Sequence, residues 1–470
     1  MPMPLRARAR EGGPREVLLS APVTGALAAV LAAVFAIVLY KVGNPQHQLK
    51  VGLGVVAAIV VVLAATRPVF ALGLVFGLLP FEYRVYGIGT DEALIFTVGL
   101  VLAHRIQRRR LPMWIFLAGA ALVVGSALSA LNAQSAGSAL WGAVRWLGVL
   151  VLLAEAFSIL RDEPNAARKM VDIISCAAIV VVFFGLLQKE GIYLLVGSPY
   201  QAGNIQSFFS YYTNYGGFVA IVAVLASGEV LAALDEHERT RAIAYMGVVV
   251  FMLFGVGISA SRGALLALGG GWAALLVLSL RRGGLVVRVV AILGVLAAAA
   301  YAATPSSTTS RYVARFSSPL GLQTEDQQRF ALQKLGEHAL GQNPLGIGYN
   351  NFRFYLAKHP IPQANQIFYH SHFTVVQIGL DAGWLGMAGF LVLYGGAMLG
   401  AIRAGPWRGL RNIACAAALT GFMAQGLFDY LFFEISFVAI FAALVWGATR
   451  PPPAARGPTP AGERIEPAVV

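Results

Sequence analysis

Charge is what this sequence has least of. Only 12% of its 470 residues are Asp, Glu, Lys or Arg, about half the ~25% share of a soluble globular domain. A soluble surface has to be covered with polar groups, so a water-soluble enzyme of this length is excluded. Disorder is excluded by the opposite abundance, 58% apolar residues and a mean hydropathy of +0.70. Cysteine is nearly absent. Cys176 and Cys415 each sit inside an apolar run and form neither a disulfide framework nor a metal-binding spacing; they read as small core residues. The alternation of apolar and polar residues that a transmembrane barrel requires is missing as well, because runs such as Val55 to Leu63 are unbroken. No internal repeat of about 20–50 residues is visible and the chain does not divide into two similar halves, which weighs against a transporter built from repeats.

What is present is a succession of long apolar segments, at 21–40, 51–66, 68–81, 92–104, 112–131, 138–160, 170–188, 212–234, 242–259, 263–280, 285–303, 373–402, 411–428 and 433–449. Several fall short of the ~20 residues that span a bilayer. The expected fold is therefore an all-α, polytopic transmembrane helical bundle with about 12–14 spans. The first run is followed by Lys41-Val42-Gly43, with no small-x-small cleavage site, and reads as an uncleaved span. The organisation that follows is a disordered cytoplasmic N-terminus at 1–20, transmembrane helices at 21–303 and a long extracytoplasmic loop at 304–370. C-terminal transmembrane helices at 371–449 and a disordered, proline-rich cytoplasmic tail at 450–470 complete it.

The net charge of +13 has its explanation in topology. With the N-terminus inside and the spans alternating, 23 lysines and arginines fall on the inner side and 5 in the short outer loops. Lys and Arg collect in cytoplasmic loops, so the count predicts both termini inside and the 304–370 loop outside. Nucleic acid is not needed to explain the basic balance. The long loop opens on the polar linker 304–310 and is expected to hold short helices. One is expected at 326–340, where Leu332, Leu335 and Ala339 share a face and Gly341 and Pro344 end the helix. The loop is rich in Tyr and Phe, which serve equally as interfacial anchors and as stacking surfaces for sugars.

Two short segments carry candidate chemistry. Ser259-Ala260-Ser261-Arg262-Gly263 is a tight hinge between two apolar runs at the outer face. A cation there runs against the charge rule and calls for an anionic partner, unless it merely snorkels to the interface. Tyr369-His370-Ser371-His372-Phe373 ends the long loop, and Asp381 follows His372 by nine residues inside an apolar run. His-x-His pairs bind metals, and His359 is near in sequence, but no third ligand follows at a recognised spacing, so no metal site is expected.

The ordered set consists of Ser261-Arg262-Gly263, a long outer loop, Asn343-Pro344-Leu345-Gly346-Ile347-Gly348-Tyr349-Asn350-Asn351-Phe352, and then His370-Ser371-His372 leading to Asp381-x-Gly383-x-x-Gly386. It resembles the bacterial O-antigen ligase and O-antigen polymerase superfamily from about residue 200 to 450. The first half matches only as a hydrophobic pattern. The resemblance implies an inner-membrane glycosyltransferase that moves a glycan from a polyprenyl diphosphate carrier to an acceptor at the outer, periplasmic face, with no cofactor and no metal. It implies that Arg262 binds the diphosphate and that His372 is the catalytic base, His372 having the family's spacing to its acid. Phe373 stands where the family usually has Asn, and Asp381 where it usually has Glu. The second phosphate-binding arginine that often precedes the Asn-containing span is missing between Gln201 and Tyr212. Arg84, Arg311, Arg315 and Arg329 are its possible substitutes, with Arg315 and Arg329 taken for the site. His370, Asn214, Asp381 and Asp429 are implied as supporting residues.

The chemistry is coherent with those residue types. A glycosyl diphosphate is an activated donor once its leaving charge is neutralised, and guanidinium does this bidentately without a metal ion. A neutral histidine can remove the proton of the weakly nucleophilic acceptor hydroxyl, and direct attack opposite the diphosphate predicts inversion. The partners expected are the polyprenyl-diphosphate-linked glycan, an acceptor and membrane lipid. Ligase and polymerase share the donor and differ in acceptor, lipid A core for one and a second carrier-linked glycan for the other. A capsule or exopolysaccharide polymerase stays open too. The alternative of another class is a lipid-linked glycan transporter or flippase, for which Arg145 and Asp381 are the mid-membrane charges available.

Overall fold

The computed structural model describes residues 67–78, 101–107, 110–161, 165–193, 205–280, 319–362, 368–404 and 409–450, with scattered positions between 62 and 99, at 163 and at 294. The expected N-terminus at 1–20, the apolar runs at 21–40 and 285–303, nearly all of 51–66, the linker 304–310, Arg311, Arg315 and the tail beyond 450 lie outside the described residues.

Within them the fold is all-α. The helices are α1 (Pro68–Leu78), α2 (Met113–Ser129), α3 (Ala136–Ile159), α4 (Ala166–Lys189), α5 (Tyr212–Asp235), α6 (Arg239–Ser259), α7 (Arg262–Ser279), α8 (Pro319–Gln342), α9 (Phe352–Lys358), α10 (Thr374–Ala404), α11 (Leu410–Gln425) and α12 (Ile435–Thr449). A two-residue antiparallel ladder, Arg84–Val85 with Ile88–Gly89, is the only β-structure among the described residues. Six helices are long and apolar enough to cross a bilayer, namely α3, α4, α5, α6, α7 and α10, and α2 and α12 are apolar but shorter. Their outward faces carry large apolar side chains such as Leu117, Phe183, Ile243, Val277 and Val392, as a lipid-facing surface must.

The hub is α5. Its side chains from Asn214 to Ala233 are buried on every side, and it packs against α4, α6, α7 and α11. Close approach depends on small residues, as lipid offers no hydrophobic drive between helices. Between α7 and α11 a methyl group on Gly421 would sit 2.3 Å from the Ala267 carbonyl. Between α2 and α10 one on Gly125 would sit 2.3 Å from the Ala382 carbonyl.

The loop helix differs from the sequence reading. It begins at Pro319 rather than 326 and runs 24 residues. Proline fits the first helical position, where its missing N–H costs nothing. The turns before Leu332 carry no apolar period that would reveal them. Leu332 and Ala339 are buried as expected, and Lys334 and Glu337 are exposed.

The two ends of the bundle differ in chemistry. At one end Arg241 of α6 bonds Asp172 of α4 and Glu229 of α5, and Arg411 of α11 bonds Glu229 and Glu236. At the other end lie the start of α5, the α6–α7 hinge, the end of α11 and the start of α10. Thr213 and Glu229 are sixteen residues apart on α5, about 24 Å at ~1.5 Å per residue, so the two ends are separated by most of a hydrocarbon core.

Candidate active site

The α6–α7 hinge explains how Arg262 is aimed. Ala260 adopts a left-handed conformation (φ 53°) that ends α6. Ser261 then caps α7, its hydroxyl accepting from the Ala264 N–H at 3.2 Å. Arg262 is thus the first residue of α7, at the positive end of the helix dipole. It lines a cleft with Tyr212, Thr213, Ser261, Gly263, Arg329, Phe428 and Asp429. The N-termini of α5 and α7 both face this cleft, and helix N-termini attract phosphate.

An adjoining cleft is lined by Arg329, Phe330, Gln333, His372, Leu427 and Phe428. Arg329 and Phe428 belong to both clefts, so Arg329 of α8 stands between Arg262 and His372. His372 has φ 59°, a conformation that a non-glycine residue holds only where its surroundings enforce it. Those surroundings are specific: Ser371 donates its N–H to Gln377 Oε1 at 2.7 Å, and Thr374 donates its N–H to the Gly426 carbonyl at 2.8 Å. His372 Nδ1 lies 3.6 Å from Asp429 Oδ1, an ion-pair contact just beyond hydrogen-bond length, and His372 Nε2 is buried without a hydrogen-bond partner.

His370 packs its ring against that of His372, centroids 4.4 Å apart. Burial, reinforced by the neighbouring His372, pushes the His370 imidazole down to about 3. Burial alone would raise the Asp429 carboxyl, but His372 and then Arg329 outweigh it and hold the group well below the usual carboxylate range. A ring nitrogen of His370, one of His372 and a carboxylate oxygen of Asp429 lie within 4.8 Å of one another. The expected lack of a third metal-ligating group was therefore a feature of sequence spacing alone, because Asp429 enters from a turn far along the chain. His359 is not part of this cluster; it is exposed and stacks on Tyr355 at 4.3 Å.

Asp381 sits one layer deeper, 2% exposed. It accepts from Gln377 Nε2 at 2.7 Å and from the Tyr430 hydroxyl at 2.6 Å, while the Tyr430 N–H donates to Asp429 Oδ1 at 3.0 Å. Asp381 thus connects to the histidines through Gln377 and Tyr430, whereas Asp429 faces His372 directly. Asn214 is buried, 4% exposed, one residue beyond Thr213 on α5, and does not line either cleft.

Sequence reasoning missed Gln377 and Tyr430, and it gave Arg145 and Tyr349 no part in positioning this site. Gln377 precedes Asp381 by four residues on one helix, a spacing that puts both on one face, and could have been found. Arg145 of α3 could not. It is 4% exposed, donates to the carbonyls of Phe432 and Phe433 at 3.0 Å each, and lies 4.6 Å over the Tyr349 ring. The Tyr349 hydroxyl also donates to the Phe433 carbonyl, at 3.3 Å.

A family model described as O-antigen ligase matches residues 247–391, from within α6 to within α10, a segment that includes Arg262, Arg329, His370, His372 and Asp381. No curated protein matches the chain. Over that segment the chain, a multi-pass membrane protein by its six long apolar helices, is similar to the O-antigen ligase family.

Proposed function

We propose that the protein is a metal-independent, inverting glycosyltransferase of the O-antigen ligase type, acting at the outer face of the bacterial inner membrane on a polyprenyl-diphosphate-linked glycan. The observation that carries this reading is the pair of adjoining clefts, one holding two guanidinium groups and two helix N-termini, the other a histidine beside a carboxylate. Arg262 and Arg329 hold the diphosphate. Arg315 remains a proposed third phosphate contact. Asp429, facing His372 Nδ1, orients its ring. The Nε2 atom of His372 takes the acceptor proton as the hydroxyl oxygen bonds to the anomeric carbon. The carbon–oxygen bond to diphosphate breaks on the opposite side, and its electron pair leaves on the diphosphate between the arginines. His370, Asn214, Asp381 and Tyr430 support this site without touching the reacting atoms.

The acceptor is lipid A core in the ligase reading and a second carrier-linked glycan in the polymerase reading. A transporter would need Arg145 and Asp381 to line a passage. Both are buried and hydrogen bonded within the protein, which favours a fixed outer site.

The test is purified enzyme with a polyprenyl-diphosphate glycan, donor binding and turnover measured separately. His372→Ala is expected to lower turnover by about 10²–10⁴-fold, the usual contribution of a general base, with donor binding nearly intact. Arg262→Ala is expected to lose most activity, and Arg262→Lys to weaken donor use because the bidentate fork is lost. Wild-type turnover by His372→Ala, or normal donor use by Arg262→Ala, would show the assignment to be wrong.

A further inference from the structure

We infer that His370, His372 and Asp429 form a binding site for a borderline-soft divalent transition-metal ion, typified by Zn²⁺, and that its occupation silences the enzyme. The site itself stands on geometry, while the silencing rests on the proposed role of His372.

One ring nitrogen from each histidine and one oxygen of Asp429 lie within 4.8 Å of one another. A tetrahedral zinc site with ligands at about 2.0–2.1 Å separates its ligand atoms by about 3.4 Å. The His372–Asp429 pair, at 3.6 Å, already has nearly that separation, and a His370 ring nitrogen is the third ligand atom within 4.8 Å. His370 Nδ1 and both ring nitrogens of His372 have no hydrogen-bond partner, so no existing hydrogen bond is lost when they coordinate. The backbone between them is pinned, since Ser371 is fully buried and its N–H is held by Gln377. Two imidazoles and one carboxylate select Zn²⁺, Cu²⁺ or Ni²⁺ over Mg²⁺ and Ca²⁺, which prefer all-oxygen sites. His372 also lines the cleft that holds Arg329, so the site is reached from that cleft.

Silencing follows from the imidazole itself. A neutral ring has one nitrogen lone pair and one N–H. Once a metal takes the lone pair of His372, the other nitrogen carries the proton and has nothing with which to accept one from the acceptor. Asp429, drawn onto the metal, no longer orients the ring.

The experiment uses full-length protein in detergent, with any affinity tag removed and metals stripped. Co²⁺ is titrated as a visible-absorption probe and then displaced with Zn²⁺. The expected result is saturable binding of one equivalent with the intense bands of low-coordinate cobalt, displaced by Zn²⁺ and not by Mg²⁺. His370→Gln and Asp429→Asn are expected to weaken binding at least tenfold, and His359→Gln is expected to leave binding unchanged. Turnover of the wild type is expected to fall with Zn²⁺ and to recover with EDTA. Absence of saturable binding, or binding that survives His370→Gln, overturns the site. Zn²⁺ held by these residues without loss of turnover leaves the site standing and overturns the base role of His372. Loss of turnover on EDTA treatment, restored by one divalent ion, overturns both the silencing and the metal-independent reading.

Discussion

At Gly383 the backbone takes φ 66° and ψ −178° in the middle of α10, a region essentially reserved for glycine. The break frees groups that a helix would pair internally, and each finds a partner outside. Trp384 gives its N–H to the Pro344 carbonyl at 2.9 Å, and the Leu380 carbonyl accepts from Ile347 and Gly348 at 2.7 and 3.0 Å. The Asp381 carbonyl accepts from the Ser129 hydroxyl at 2.9 Å. A methyl group on Gly383 would meet Leu345 C and the Pro344 carbonyl oxygen, both at 2.7 Å. Gly383→Ala is therefore expected to cost at least about 1–3 kcal/mol from backbone strain alone. It should lower the thermal stability of the detergent-solubilised protein and reduce activity with it. Unchanged melting by intrinsic fluorescence would contradict the geometry.

Among elements, the connection that matters most joins α3 to the turn between α11 and α12. Arg145 spans it with its two hydrogen bonds and its contact over Tyr349. The same turn carries Asp429 and Tyr430, so α3 fixes the carboxylate that faces His372 although it contributes nothing to either cleft. Arg145→Lys keeps the charge but loses the planar fork that serves two carbonyls. Because displacement of a catalytic group by ~1 Å can cost about 100-fold, its turnover is expected to fall by about 10–100-fold while donor binding changes little. Tyr349→Phe, which keeps the ring and removes one hydrogen bond, is expected to show a smaller effect in the same direction. A change confined to donor binding in either variant would contradict this positioning role.

On the scale of the whole molecule, the ionic network at one end and the paired clefts at the other give the bundle a direction, and the lysine and arginine count predicts which end is cytoplasmic. Lys358 is the last residue of α9, in the segment between α8 and α10, and Thr240 lies at the start of α6 beside the ionic network; both are exposed. In a background lacking Cys176 and Cys415, Lys358→Cys is expected to label with an impermeant thiol reagent in intact cells made permeable only at the outer membrane. Thr240→Cys is expected to label only after the inner membrane is opened. Labelling of both from the same side would reverse the scheme.

By itself the sequence determined the class of molecule, because 12% charge and fourteen apolar runs admit little but a helical membrane bundle. It also singled out Arg262, a cation at an outer hinge against the local charge pattern, and the His370–His372 pair at a span's start, while the choice of His372 came from the family resemblance. The ordered motifs pointed to the family. Only the tertiary structure decided which groups meet. Among the described residues it placed Arg329 of α8 in both clefts, put Asp429 rather than Asp381 against His372, and turned Asn343–Phe352 and the Gly383 break into two sides of one contact. It also recruited Arg145 from the half of the chain that carried no motif. The physical reason is that helical periodicity and charge bias are read a few residues at a time. The site, by contrast, is assembled by close packing of helices through small residues, which brings together groups nearly 300 residues apart, such as Arg145 and Phe433.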